Sequence, residues 1–134
     1  MVKMRCTYQG QKHCELEHEQ SGSIIETDAP RDNQGKGERF SPTDLVGAAL
    51  TSCILTTMAI VGERDGLKLE GTTATVEKRM ADSPRRIESL TLHIRLPSSL
   101  TPEQRRKMEN TARACPVHKS LHPDVQIPMT FEYV

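Results

Sequence analysis

Ser41-Pro42-Thr43-Asp44-Leu45-Val46-Gly47-Ala48-Ala49-Leu50-Thr51-Ser52-Cys53 opens the strongest helix signal in the chain, and its reading decides the fold. Ser41 can accept from the first unpaired backbone N–H groups, Pro42 is preset for the first helical position, and Asp44 completes a capping-box-like pattern. The helix should run from Ser41 to Arg64 and stop at Asp65-Gly66. Leu45, Val46, Ala48, Ala49, Leu50, Ile54, Leu55, Met58, Ala59 and Ile60 leave it apolar or small on nearly every side, the pattern of a helix buried all round. In a chain of 134 residues, burial on every side implies that a second subunit helps to cover it.

Before this helix, Met4 to Tyr8, His13 to Glu19 and Ser23 to Thr27 read as three short strands, separated by Gly10 and by Ser21-Gly22-Ser23. The polar, Gly-rich stretch from Asp28 to Glu38 reads as an exposed loop. After the helix, Lys68 to Met80 and Arg85 to Leu96 alternate with period two, with Asp82-Ser83-Pro84 as the turn of a long hairpin. In the second strand Ile87, Ser89 and Thr91 stand against Leu90, Leu92 and Ile94. Thr101-Pro102-Glu103-Gln104 starts a second helix that reaches about Ala114, a short helix begins at Pro116, and Gln126 to Tyr133 closes the chain as a strand. Pro128 marks that strand as an edge strand or a bulged one. Three strands, a helix, two strands, a helix pair and a strand make an α+β pattern in a single domain over residues 1–134.

The 18 basic and 18 acidic side chains cancel, so no net field gathers nucleic acid or anionic membrane. Two Phe, two Tyr and no Trp leave few stacking platforms for bases. No signal-peptide pattern opens the chain, and the interrupted apolar stretch from Leu45 to Val61 falls short of the ~20 residues that cross a bilayer. The expectation is a soluble cytoplasmic protein whose four cysteines serve redox, metal or packing roles.

Cys115 sits where the cap of the Pro116 helix should fall, and the positive end of a helix lowers a thiol pKa. Cys53 lies about three turns into its own helix, beyond that influence, and needs another activator; Arg39, just upstream of Ser41, is the nearest candidate cation. Taken alone, Cys53 reads as core and Arg39 as a solvated loop charge. Cys6 and Cys14 lie on neighbouring strands and face each other if the turn centres on Gly10, although two small strand residues are the simpler reading in a reducing compartment. His118 and His122, at helical spacing beside Cys115, are a conceivable metal set without the glutamate of a zincin.

Ser41 to Ala49, Cys53, and Ala114-Cys115-Pro116-Val117-His118-Lys119-Ser120-Leu121 together resemble the osmotically inducible protein C and organic hydroperoxide resistance (OsmC/Ohr) family. The resemblance implies an intertwined homodimer in which two central buried helices are enclosed by β-sheets. It also implies a cysteine-based peroxidase site at the subunit interface, with Cys53 as the peroxidatic thiol and Cys115 as the resolving thiol. Organic hydroperoxides are the implied substrates and an external dithiol the reductant, with no bound cofactor or metal, no nucleic acid and no membrane. Where common peroxidase members carry a glutamate after the helix-initiating proline, this chain has Thr43; Asp44 is next along and Arg39 is the candidate catalytic arginine. The alternative is a non-catalytic relative that binds a small ligand in the same apolar cleft with its cysteines inert.

Overall fold

The computed structural model describes residues 1–134 in two compact units, Met1–Val46 and Gly47–Val134. In the first, β1 (Met4–Tyr8), β2 (His13–His18) and β3 (Ser23–Asp28) form an antiparallel meander in that order. Gly10, Gln11 and Lys12 all take positive φ in the β1–β2 turn, where Gln9 N–H bonds the His13 carbonyl at 2.9 Å. The predicted exposed loop contains a single 3-10 turn at Arg31–Asn33 and folds back on Ala29. A Cβ on Gly35 would overlap the Ala29 carbonyl group, so only glycine permits that approach.

Helix α1 (Pro42–Arg64) begins as the sequence implies. Ser41 N–H donates to Asp44 Oδ2 at 2.9 Å, and Asp44 N–H donates to Ser41 Oγ at 3.1 Å. It ends in a Schellman motif: Gly66 has φ +71°, Leu67 N–H reaches the Gly62 carbonyl, and Gly66 N–H reaches that of Glu63. Within one chain, burial is confined to Gly47, Leu50, Ile54, Met58 and Gly62, a stripe at three- and four-residue spacing rather than every side. Ile60 is 51% exposed. By length and composition α1 is apolar enough to cross a bilayer, because Thr51, Ser52, Thr56 and Thr57 interrupt its sequence without lowering its mean hydropathy enough. Its stripe instead lies against the second sheet, with Leu90 and Val76 beside Gly47.

That sheet has the order β4 (Thr73–Asp82), β5 (Arg85–Leu96), β6 (Met129–Tyr133), with β4 antiparallel and β6 parallel to β5. The first hairpin strand starts at Thr73, not Lys68: Gly71 takes φ +90° and Thr72 N–H closes a turn onto the Leu69 carbonyl. In β5, Leu90, Leu92, Ile94 and Leu96 are buried while Thr91 and Arg95 are exposed. The register slips between Arg79 and Met80, so that Met80 faces Ile87; this bulge brings Ile87, out of phase by simple alternation, onto the face of the buried set. Pro128 cuts the last strand back to Met129, yet its carbonyl accepts Leu92 N–H at 2.8 Å and Gln126 still bridges to Ser89. β6 is an edge strand, where a missing N–H costs little.

Helix α2 (Pro102–Ala112) opens on a full capping box between Thr101 and Gln104, and its apolar side buries Met108 and Ala112. Helix α3 (Pro116–Ser120) is a single short turn capped by Cys115.

Gly47 occupies a helix interior, where glycine costs about 0.5–1 kcal/mol relative to alanine. A Cβ there would meet Leu90 Cδ2 at 3.5 Å and Val76 Cγ1 at 3.6 Å, ordinary contact distances. Gly47→Ala is therefore expected to raise stability by about 0.5–1 kcal/mol in a urea titration. A loss of stability would show that the helix approaches the sheet too closely for a methyl group.

Candidate active site

Cys53 points from the middle of α1 toward the start of α3, where Cys115 is the N-cap residue. The two thiols are close enough for each to shift the other's ionisation. Cys115 is fully buried and Cys53 half-buried, so one sulfur is closed off and the other is reachable from solvent. His118 N–H donates to Cys115 Sγ at 3.4 Å, which is the capping bond expected of α3.

Val117 N–H, from the same turn, is placed to favour the thiolate form of Cys53. The donor-rich end of α3 thus serves both sulfurs, although Cys53 belongs to a different helix. The consequences for ionisation are opposite. Burial pushes the Cys53 thiol up, but Val117 N–H, the Cys115 side chain and the Thr57 hydroxyl together outweigh it and bring Cys53 below the ordinary thiol range. Burial pushes Cys115 up, His118 N–H opposes this, and the hydrogen bond and charge of Cys53 carry it above that range. Cap position favours Cys115 as the more acidic thiol; the cross-helix bond from Val117 and the deeper burial of Cys115 invert that order.

Thr57 is a member of the site that the sequence reading omits. Its Oγ1 lies 3.9 Å from Cys53 Sγ, one helical turn along α1. The i, i+4 spacing from Cys53 was the available signal. The role of Val117 had none, since a backbone N–H becomes a partner of Cys53 only through tertiary structure.

Arg39 and Asp44 have partners within the first unit. Arg39 Nε approaches Glu26 Oε2 at 3.4 Å and its Nη1 donates to the Glu38 carbonyl at 3.1 Å. The Asp44 carboxylate accepts Ser41 N–H in the helix cap. His118 and His122 do not share a helix face: α3 ends at Ser120, and His122 Nδ1 accepts Asp124 N–H at 3.0 Å. No group of three or more His, Cys, Asp and Glu side chains is gathered as a metal centre.

Glu26 belongs to a polar clasp that also escaped the sequence reading. His13 Nδ1 is 2.6 Å from Asp28 Oδ1 and its Nε2 is 3.1 Å from Glu26 Oε1. A neutral imidazole has one N–H, so both contacts are satisfied only by the imidazolium. The Asp28 bond, opposed by desolvation and helped by Glu26, raises the His13 pKa; the His13 bond in turn lowers that of the buried Asp28, whose Oδ2 also accepts Glu38 N–H at 3.1 Å. A raised histidine stabilises fully below its unfolded pKa and loses that contribution as pH rises through the folded value. A lowered aspartate stabilises above its unfolded pKa and loses it as pH falls through the folded value. The clasp is therefore complete between the depressed Asp28 pKa and the elevated His13 pKa. Melting temperature is expected to fall on the alkaline side of the ordinary histidine range in wild type, and His13→Gln should remove that limb; identical profiles would count against the imidazolium.

The chain belongs to the OsmC-like family. The family's sequence model, OsmC-like protein, matches residues 35–130. A crystal structure from Psychrobacter arcticus, provisionally named an osmotic stress induced and detoxification response protein, is 42% identical, covers 98% of this chain and 96% of its own, and superposes with a TM-score of 0.94. The organic hydroperoxide resistance protein OsmC of Legionella pneumophila shares the fold at 17% identity, with 98% and 96% coverage and a TM-score of 0.80. So does the organic hydroperoxide resistance protein OhrB of Bacillus subtilis, at 16% identity, 98% coverage of both chains and a TM-score of 0.69. No curated protein matches the chain.

Proposed function

We propose that this protein is a thiol-dependent peroxidase that reduces organic hydroperoxides in the cytoplasm, with Cys53 as the attacking and Cys115 as the resolving thiol. The observation that carries this reading is the contact between two cysteines of opposite ionisation tendency, the more acidic of them being the more exposed. Cys53 thiolate attacks the distal oxygen of the hydroperoxide, the O–O bond breaks, and the alkoxide leaves as the alcohol after taking a proton. Cys53 is left as a sulfenic acid. Two of the influences that hold Cys115 protonated come from Cys53, and both fade once the thiolate has been consumed. Cys115 then ionises and attacks the Cys53 sulfur, hydroxide departs as water, and an external dithiol reopens the disulfide. The apolar wall that α1 offers around Cys53 favours alkyl hydroperoxides over hydrogen peroxide.

The test is direct. Reduced protein mixed with one equivalent of an alkyl hydroperoxide should yield one equivalent of alcohol and a Cys53 to Cys115 disulfide by peptide mapping. Absence of that crosslink overturns the two-cysteine mechanism. A Cys53→Ser variant that still performed the protein's role would select the ligand-binding alternative.

A homodimer belongs to the same proposal. Every residue of β1 is exposed in the single chain, and Met4, Tyr8, Ile24 and Ile25 of the first sheet present large apolar side chains to water. Such a sheet needs a covering surface, which a second copy supplies. Arg39 and Asp44 are carried as participants on the family resemblance. The donors described around Cys53 are themselves neutral: Val117 N–H, the Cys115 thiol and the Thr57 hydroxyl.

Thr57 has a measurable share in this. Thr51 and Thr111 donate to backbone carbonyls of their own helices, as helical threonines commonly do, whereas Thr57 pairs with the sulfur. Thr57→Val, nearly isosteric, is expected to raise the Cys53 pKa and to slow its alkylation at neutral pH roughly three- to tenfold, while Thr57→Ser restores it. An unchanged pH profile of alkylation would remove Thr57 from the site.

A further inference from the structure

A run of charges on a helix ordinarily belongs to water, but three of those on α2 have partners of another kind. Arg105, Glu109 and Arg113 recur every fourth residue and so form one row along the helix, beside the buried Met108 and Ala112. Phe131 and Tyr133 stand two apart on β6 and share one face of the strand. The row meets that face at three levels. The Arg105 guanidinium sits over the Tyr133 ring, 4.2 Å from its centroid, while its Nε and Nη2 donate to the Leu100 and Ser98 carbonyls at 2.9 and 2.8 Å. The Tyr133 hydroxyl donates to Glu109 Oε2 at 2.5 Å, and burial with that carboxylate pushes the phenol pKa up. At the far end of the row the Arg113 guanidinium sits over the Phe131 ring, 5.2 Å from its centroid.

Arg113 is the last anchor before the thiol site. It is the C-cap residue of α2, its N–H returning to the Glu109 carbonyl at 3.3 Å, and Ala114 N–H closes on the Thr111 carbonyl at 3.1 Å. Cys115 follows at once and caps α3. With only five residues, α3 cannot hold its own position, so its N-cap inherits its place from the end of α2.

We propose that Arg113 is a positioning residue for the thiol pair: its contact with Phe131 pins the α2–α3 junction to β6 and so holds Cys115 where the oxidised Cys53 sulfur meets it. Its part in turnover rests on the two-cysteine reading; the pinning itself does not. In the resolving step the Cys115 sulfur attacks the Cys53 sulfenic acid, an S–S bond forms, the S–O bond breaks and hydroxide leaves as water. Such an attack depends steeply on how closely the reacting atoms are aligned. Disulfide closure is therefore the step that feels the junction, whereas Cys53 meets the hydroperoxide from the middle of a separate helix.

The experiment compares full-length wild type with Arg113→Ala, Arg113→Lys, Phe131→Leu and, as a control for lost charge, Arg106→Ala, which lies outside the row. In a Cys53→Ser background, alkylation of the fully buried Cys115 by iodoacetamide reports opening of the junction. It should be about two- to fivefold faster in Arg113→Ala and Phe131→Leu, the effect an exposed cation–π contact can exert. With Cys53 present, closure of the Cys53 to Cys115 disulfide by diamide should slow by a similar factor. With an alkyl hydroperoxide, alcohol release should keep its wild-type rate while the disulfide lags and dimedone traps more Cys53. Arg113→Lys, which keeps a cation above the ring, and Arg106→Ala should stay near wild type, and combining Arg113→Ala with Phe131→Leu should add nothing to either alone. Wild-type alkylation and diamide closure in Arg113→Ala, an equal change in Arg106→Ala, or effects that add in the double variant would overturn the proposal. Arg113 is exposed, so its truncation spares the core and decides the question even if Phe131→Leu does not fold. If wild type releases no alcohol, the peroxidase reading fails, and alkylation and diamide closure still judge Arg113.

Discussion

Cys53→Ser should abolish hydroperoxide reduction, with a loss of at least about 10³-fold in turnover, whereas Cys115→Ser should complete one oxidation and then stop. The two outcomes differ because the cysteines differ in environment. Cys53 alone combines a lowered pKa with exposure to solvent, so its removal leaves no thiolate at the site. Cys115, fully buried and held up by desolvation and by Cys53 itself, does not replace it. In Cys115→Ser the Cys53 sulfenic acid has no partner, and a dimedone adduct on Cys53 should accumulate to about one per chain after a single exposure to substrate. Wild type under the same conditions should show little adduct because the disulfide forms first. Equal single-turnover yields of alcohol from wild type and Cys53→Ser would assign the chemistry to another group.

The parts of this site that the sequence exposes are those encoded locally. Ser41, Pro42 and Asp44 announce the start of α1 because capping is decided within four residues, and Cys115-Pro116 announces α3 for the same reason. The limits of β5 are equally plain, since period-two alternation from Arg85 to Leu96 is a local property. What decides the chemistry is not local. Val117 N–H reaches Cys53 across more than sixty residues of chain, and it reverses the order of acidity that the caps alone imply. The His13 clasp likewise joins strands whose pairing is invisible until the meander is assembled. Small residues around α1 gave an apolar pattern on all sides, but one chain has only enough partner surface to cover a single stripe of it.

Leu92→Ala is expected to cost about 2–5 kcal/mol, the range for emptying a well-packed aliphatic site. Leu92 is fully buried at the centre of the three-stranded sheet, opposite Val76 on β4 and Met129 on β6. Its backbone is fixed as firmly as its side chain: the N–H donates to Pro128, and the carbonyl accepts the Thr130 hydroxyl at 3.3 Å. With the neighbouring β6 segment tied at this residue, the cavity resists collapse, which places the cost toward the upper part of the range. Thr91, one residue earlier on the exposed face, supplies the control, since Thr91→Ala should change stability by no more than about 0.5 kcal/mol. A urea titration that shifts the midpoint for Leu92→Ala with an unchanged slope would locate the effect in the folded core. For a domain whose whole stability is about 5–15 kcal/mol, such a loss also lowers the amount of protein that survives in a cell, so the same alternation that made β5 readable governs how much active thiol is present.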